Sequence, residues 1–104
     1  MTNNSLNKIK GYLGIANRAN YVIFGADKLK GYTHKLYLVL YREDFGKTII
    51  KVVNEFKDAL PTYQLSAQDF NFITNAENCK LLAIKNKGLA EQIIKILRSE
   101  SISG

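Results

Sequence analysis

A chain of 104 residues, 46% apolar and 23% charged, is long enough for one hydrophobic core and too short for two, so a single domain over 1–104 is predicted. Its formal net charge of +6 favours an anionic partner, while one cysteine and one histidine exclude an internal disulfide and a Cys/His metal cluster. No run approaches the ~20 apolar residues of a membrane span, and the opening MTNNSLNKIK lacks the apolar stretch of a signal peptide, which points to the cytoplasm.

Leu6, Ile9, Leu13 and Ala16 recur at helical spacing behind Ser5, a residue type suited to an N-cap, and predict an amphipathic helix over 5–18. Gly11 and Gly14 weaken it, and two glycines three apart suit close approach to a neighbouring element. The β-branched and aromatic run 21–24 reads as a strand, and 25–30 as a helix ending at Gly31. LYLVLY at 36–41 is an apolar run of strand length, as in the middle of a covered sheet. Phe45, Ile49, Val52, Val53 and Phe56 then trace one face of a helix over 43–58, with Glu43 and Asp44 favourably placed at its start.

Pro61 stops that helix, and 62–64 is a brief strand. Ser66 with Asp69 three residues on marks the start of a short helix. KLLAIK at 80–85 is the last strand, and 88–98 a closing helix with Leu89, Ile93, Ile96 and Leu97 inward. The polar tail 99–104 is expected to fray. Strands alternating with helices through short connections predict an α/β fold, a three-layer α/β/α sandwich on a four-stranded mixed sheet.

Charge is unevenly distributed along the chain. Residues 1–42 carry five Lys and two Arg against Asp27 alone, residues 43–78 carry six acids against three Lys, and residues 79–104 are again basic. A fold that brings the two ends together would create one positive face suited to phosphates. The turn at Gly25 is the sharpest candidate on it. A glycine opening a helix offers the N–H groups of Ala26, Asp27 and Lys28 to an anion, and Arg18, Lys28 and Lys30 surround it. The alternative is that Gly25 simply permits a tight strand-to-helix turn.

Other residues have a plain reading beside a functional one. Arg18 is either a phosphate contact or a helix-end charge, and Arg42, at a sheet end, is either a ligand contact or the partner of Glu43 or Asp44. Asn17 and Asn20 bracket a turn and can serve RNA or their own backbone. Among six tyrosines, Tyr37 and Tyr41 read as core and Tyr32 as an exposed stacking candidate. His34 has no evident catalytic partner, and Cys79 reads as a small apolar residue. No Walker loop, nucleophile elbow or metal-ligand pair is present in the sequence, so neither catalysis, nor a cofactor, nor a small-molecule substrate is expected.

Three motifs, LGIANRANYVIFGADKL at 13–29, LYLVLYRED at 36–44 and LLAIKNKGLAEQI at 81–93, together with the element order, resemble the kink-turn-binding ribosomal-protein superfamily. That group includes large-subunit proteins of the L-seven-Ae and L-thirty-e type, and the chain looks most like its small bacterial YlxQ-like members. The resemblance implies a monomeric, ribosome-associated α/β/α protein that binds structured RNA without catalysis, at the second helix start and the loop before the last strand. Here those are Gly25, Ala26, Asp27, Lys28 and Lys30, and the segment 73–78 with Ile73, Thr74, Asn75 and Asn78. Strong kink-turn binders resemble Gly-Ala-Asn-Glu at the helix start. This chain has Asp27 and Lys28 there, which trades a base-reading amide for a phosphate contact. A second reading is a protein-interaction adaptor on the same fold that works through the acidic 43–69 surface.

Overall fold

The computed structural model describes residues 2–25, 28, 29, 35–44, 46–75 and 79–102, with the side chains of 48, 49, 101 and 102 outside that description. Within these, four helices and four strands alternate almost as the periodicity requires: α1 (Asn3–Arg18), β1 (Val22–Phe24), β2 (Leu38–Arg42), α2 (Lys47–Lys57), β3 (Thr62–Leu65), α3 (Ala67–Thr74), β4 (Leu81–Ile84) and α4 (Lys87–Ile102). Lys28 and Leu29 are also helical and Gly25 forms a bend before them, so the helix expected from Gly25 does not include it; residues 26, 27 and 30 lie outside the described residues.

The strands form one mixed sheet in the order β1-β4-β2-β3. β4 is antiparallel to both β1 and β2, with Ile23 opposite Ala83 and Leu40 opposite Leu82. β2 and β3 are parallel, with Leu40 opposite Tyr63, and α2 supplies the crossover that a parallel pair demands. The two interior strands are the two richest in aliphatic residues, because a strand covered on both faces has no solvent side to keep polar.

Side-chain alternation then divides the core in two. On one face, Leu6, Ile9, Leu13 and Ala16 of α1 meet Leu38, Leu40, Leu82 and Ile84 of the sheet, with Phe70 and Ile73 of α3 and Ile93 and Leu97 of α4. On the other, Val39, Leu81 and Ala83 pack with Leu29 and with Val52 and Val53 of α2. Helices therefore cover both faces of the sheet, as the alternating pattern predicts. No helix among the described residues is long and apolar enough to cross a membrane.

Several boundaries depart from expectation, each for a local reason. The cap of α1 is Thr2, whose side chain accepts from the Ser5 N–H, so the helix starts at Asn3 and Ser5 lies inside its first turn. The helix expected from Glu43 begins only at Lys47, behind Gly46 as N-cap, because Glu43 and Asp44 are drawn into a turn by other partners. The closing helix runs to Ile102, well past the boundary expected at 98. Ser5 Oγ donates to Glu100 Oε1 at 2.5 Å and Thr2 Oγ1 to the same oxygen at 3.3 Å, so the start of α1 ties down part of the tail expected to fray. Finally, a Cβ added at Gly11 or Gly14 would meet nothing within 4 Å, so these glycines serve no close helix approach.

Candidate nucleic-acid interface

α1 runs into a turn at 19–21 that feeds β1. Asn20 adopts a positive φ of 63° there, a conformation that Asn tolerates better than most residues. Asn20 thus has a conformational role, and its N–H donates to the Asn17 carbonyl at 3.1 Å. β1 is followed by Gly25, whose φ of +95° is open to glycine and strained for any L side chain. The Gly25 N–H donates to the Leu81 carbonyl at 2.9 Å, which fastens the turn to the first residue of β4. Beyond it Lys28 is exposed and Leu29 is buried in the second core. Leu29 thereby anchors the helical residues while Lys28 faces solvent.

The segment named by the resemblance approaches the same edge from α3. Ser66 caps that helix by accepting from the Asp69 N–H at 3.1 Å, as the Ser66/Asp69 spacing predicts. The helix closes at Asn75 in the left-handed region, with φ 54° and ψ 35°. Ile73, Thr74 and Asn75 line an open cleft of about 170 Å³ together with Phe24, the residue before Gly25, and with α1 residues that include Lys10, Gly14 and Asn17. Phe24, the residue before Gly25, and residues 73–75, the described part of the 73–78 segment, therefore meet at this cleft. Among the described residues, one ammonium and no carboxylate line the cleft.

Individual site residues separate clearly. Arg18 is exposed in the last turn of α1, and Lys28 and Asn75 are exposed as well. Ile73 is buried in the first core, so it shapes the cleft from beneath and offers little surface to a ligand. Thr74 donates its hydroxyl to the Phe70 carbonyl at 2.8 Å, a bond inside its own helix. Arg42 requires correction as a ligand contact: it is 7% exposed and ion-paired with Asp44, and Nη1 donates to Asn71 Oδ1 at 3.0 Å. A guanidinium so enclosed holds the end of β2 to α3, the plain reading that its neighbours Glu43 and Asp44 suggested. Ala26, Asp27, Lys30 and Asn78 lie outside the described residues, as do Tyr32 and His34.

Sequence reasoning missed Lys10, Gly14, Phe24 and Phe72. The first two, with Asn17, stand at i, i+4 and i+7 on α1, a stripe beside the apolar one and legible as such. Phe70 and Phe72 are two apart on a helix and so point to different sides. Phe70 is fully buried, while Phe72 is 39% exposed with the Lys10 ammonium 4.8 Å from its ring centroid, within cation–π range. Cys79 is half-buried, burial pushes its thiol pKa up, and a thiol held protonated is a poor nucleophile.

No family model matches this sequence, and none of the curated proteins matches it. Among solved structures, the chain is similar to a protein of unknown function from Bacillus halodurans, with a TM-score of 0.70 at 18% identity over 88% of this chain and 97% of that one. Likeness at that identity establishes a shared fold.

Proposed function

We propose that this chain is a non-catalytic, cytoplasmic RNA-binding protein of the ribosomal-protein type, which takes structured, sharply bent RNA at the edge formed by α1, the Gly25 turn and the end of α3. The observation that carries the reading is the convergence of Phe24 with residues 73–75 around a cleft lined, among the described residues, by Lys10 and by no carboxylate. Arg18 at the end of α1 and Lys28 after the Gly25 turn are exposed cations on the neighbouring segments. Phosphates would be held by these cations and by backbone N–H groups, and distorted nucleotides, which regular RNA helices do not offer, by the cleft.

The acidic middle is less available for a partner than its composition suggests. Asp44 is engaged by Arg42, and Glu43 Oε1 accepts from the Ala67 N–H at 3.3 Å. Two of the six acids in 43–78 thus serve the fold.

Fluorescence anisotropy with a kink-turn RNA and a straight duplex tests the proposal. Arg18→Glu combined with Lys28→Glu should weaken both. For about four phosphate contacts, log K should fall with log[salt] at a slope near −3. Wild-type affinity in the doubly substituted protein would refute the site, and a protein partner retained from cell extract after ribonuclease would favour the adaptor.

A further inference from the structure

A different groove runs between α1 and α4, on the flank of α1 away from Lys10, Gly14 and Asn17. Lys8 and Tyr12 stand at i and i+4 on α1, and Gln92, Lys95, Ile96 and Ser99 at i, i+3, i+4 and i+7 on α4, so each set occupies one side of its helix. The two sides meet as the walls of an open groove of about 380 Å³. Tyr12 and Ile96 are half-buried and pack against the first core, which fixes the apolar part of the lining, while Lys8 and Lys95 are exposed. Among the described residues no carboxylate lines this groove, and neither lysine forms an ion pair. Lys8 has no acidic residue three or four positions away, and Glu91, four positions before Lys95, leaves it unpaired. Glu100, beside Ser99, is engaged at the end of the helix pair by the hydroxyls of Ser5 and Thr2.

Two ammoniums on facing helices attract an anion placed between them more strongly than either does alone. The backbone groups of both walls are spent inside their own helices, so an extended peptide would find no main-chain partners here, and recognition falls to side chains. The lysines, the Tyr12 and Ser99 hydroxyls and the Gln92 carboxamide can all donate. A phosphate, with more acceptor oxygens than a carboxylate, can take donors from both walls at once. We propose that this groove binds a phosphate group between Lys8 and Lys95, carried by a small phosphate ester or by an RNA strand. The site lies apart from the Gly25 edge and stands without the reading given for that edge.

Backbone amide NMR shifts of the full chain, followed during titration with pyrophosphate, ADP, a uridine hexamer and a hexaglutamate peptide, test the site. Pyrophosphate should shift the amides of Lys8, Tyr12, Gln92, Lys95 and Ser99 saturably, and the tighter binder of ADP and the uridine hexamer names the source of the phosphate. Lys8→Gln combined with Lys95→Gln should weaken pyrophosphate binding by about tenfold or more, the scale of losing charge-assisted hydrogen bonds. Both changes put a good helix former at an exposed helical position, so the amide spectrum should stay that of the folded protein. Lys47→Gln combined with Lys51→Gln, on α2, removes the same charge elsewhere and should leave the affinity unchanged. Equal weakening by the two double variants would mark general charge attraction and overturn the site. Tighter binding of the hexaglutamate peptide, or no saturable shift at these amides with any phosphate-bearing probe, overturns it too.

Discussion

Arg42 and Asp44, two residues apart, meet as a bidentate pair: Nε donates to one carboxylate oxygen, and Nη2 to the other at 2.9 Å. The pair is asymmetric in burial, with side-chain exposures of 9% for Arg42 and 52% for Asp44. Removing Asp44 leaves the guanidinium buried without that carboxylate, whereas replacing Arg42 by Met leaves only an exposed carboxylate that water can solvate. Asp44→Ala should therefore lower the urea midpoint more than Arg42→Met. The reverse order would show that the bond from Arg42 to Asn71 carries more of the stability than the ion pair.

Acid should weaken the fold through two carboxyls. The Arg42 guanidinium holds Asp44 below its ordinary 3.8, and the Ser5 hydroxyl holds Glu100 below its ordinary 4.5. A depressed carboxyl binds fewer protons folded than unfolded, so its contribution is complete at neutral pH and is lost as pH falls from the ordinary value through the depressed one. Denaturation midpoints measured from pH 6 down to the acid limit should decline less in Asp44→Asn/Glu100→Gln than in the wild type. Asp44 is exposed and Glu100 only partly buried, so added salt should shrink the difference.

Glycine substitutions should act in opposite directions. Gly11→Ala and Gly14→Ala place a methyl group in open space on a helix and should each raise stability by about 0.5–1 kcal/mol. Gly25→Ala forces an L side chain to φ +95° and should cost roughly 1 kcal/mol or more. Thermal melts of the three variants check both signs.

α3 should be sensitive at its cap and at its core. Ser66→Ala removes the acceptor of the Asp69 N–H and should cost about 1 kcal/mol. Phe70→Ala empties a fully buried site and should cost about 3–5 kcal/mol, depending on how far the surrounding residues collapse. Because this helix carries residues 73–75 to the cleft, the proposed RNA binding, measured on the surviving folded fraction, should weaken in Phe70→Ala.

The sequence by itself determined the layers of this protein. Periodicity is local, so the apolar stripe Leu6, Ile9, Leu13, Ala16 marks the buried side of α1 and the run around 38–41 marks an interior strand, and both are found buried or half-buried. The Ser66 cap was legible because a capping interaction spans only three residues. Tertiary structure decided the rest. Whether Arg42 would meet a ligand or Asp44 depended on Asn71, a residue 29 positions away, and the end of α4 depended on Thr2 and Ser5 at the other end of the chain. The cleft exists because β1, α1 and α3 converge. Short-range spacing holds no record of that meeting, since long-range contacts follow from how apolar faces pack together and not from what any one segment prefers.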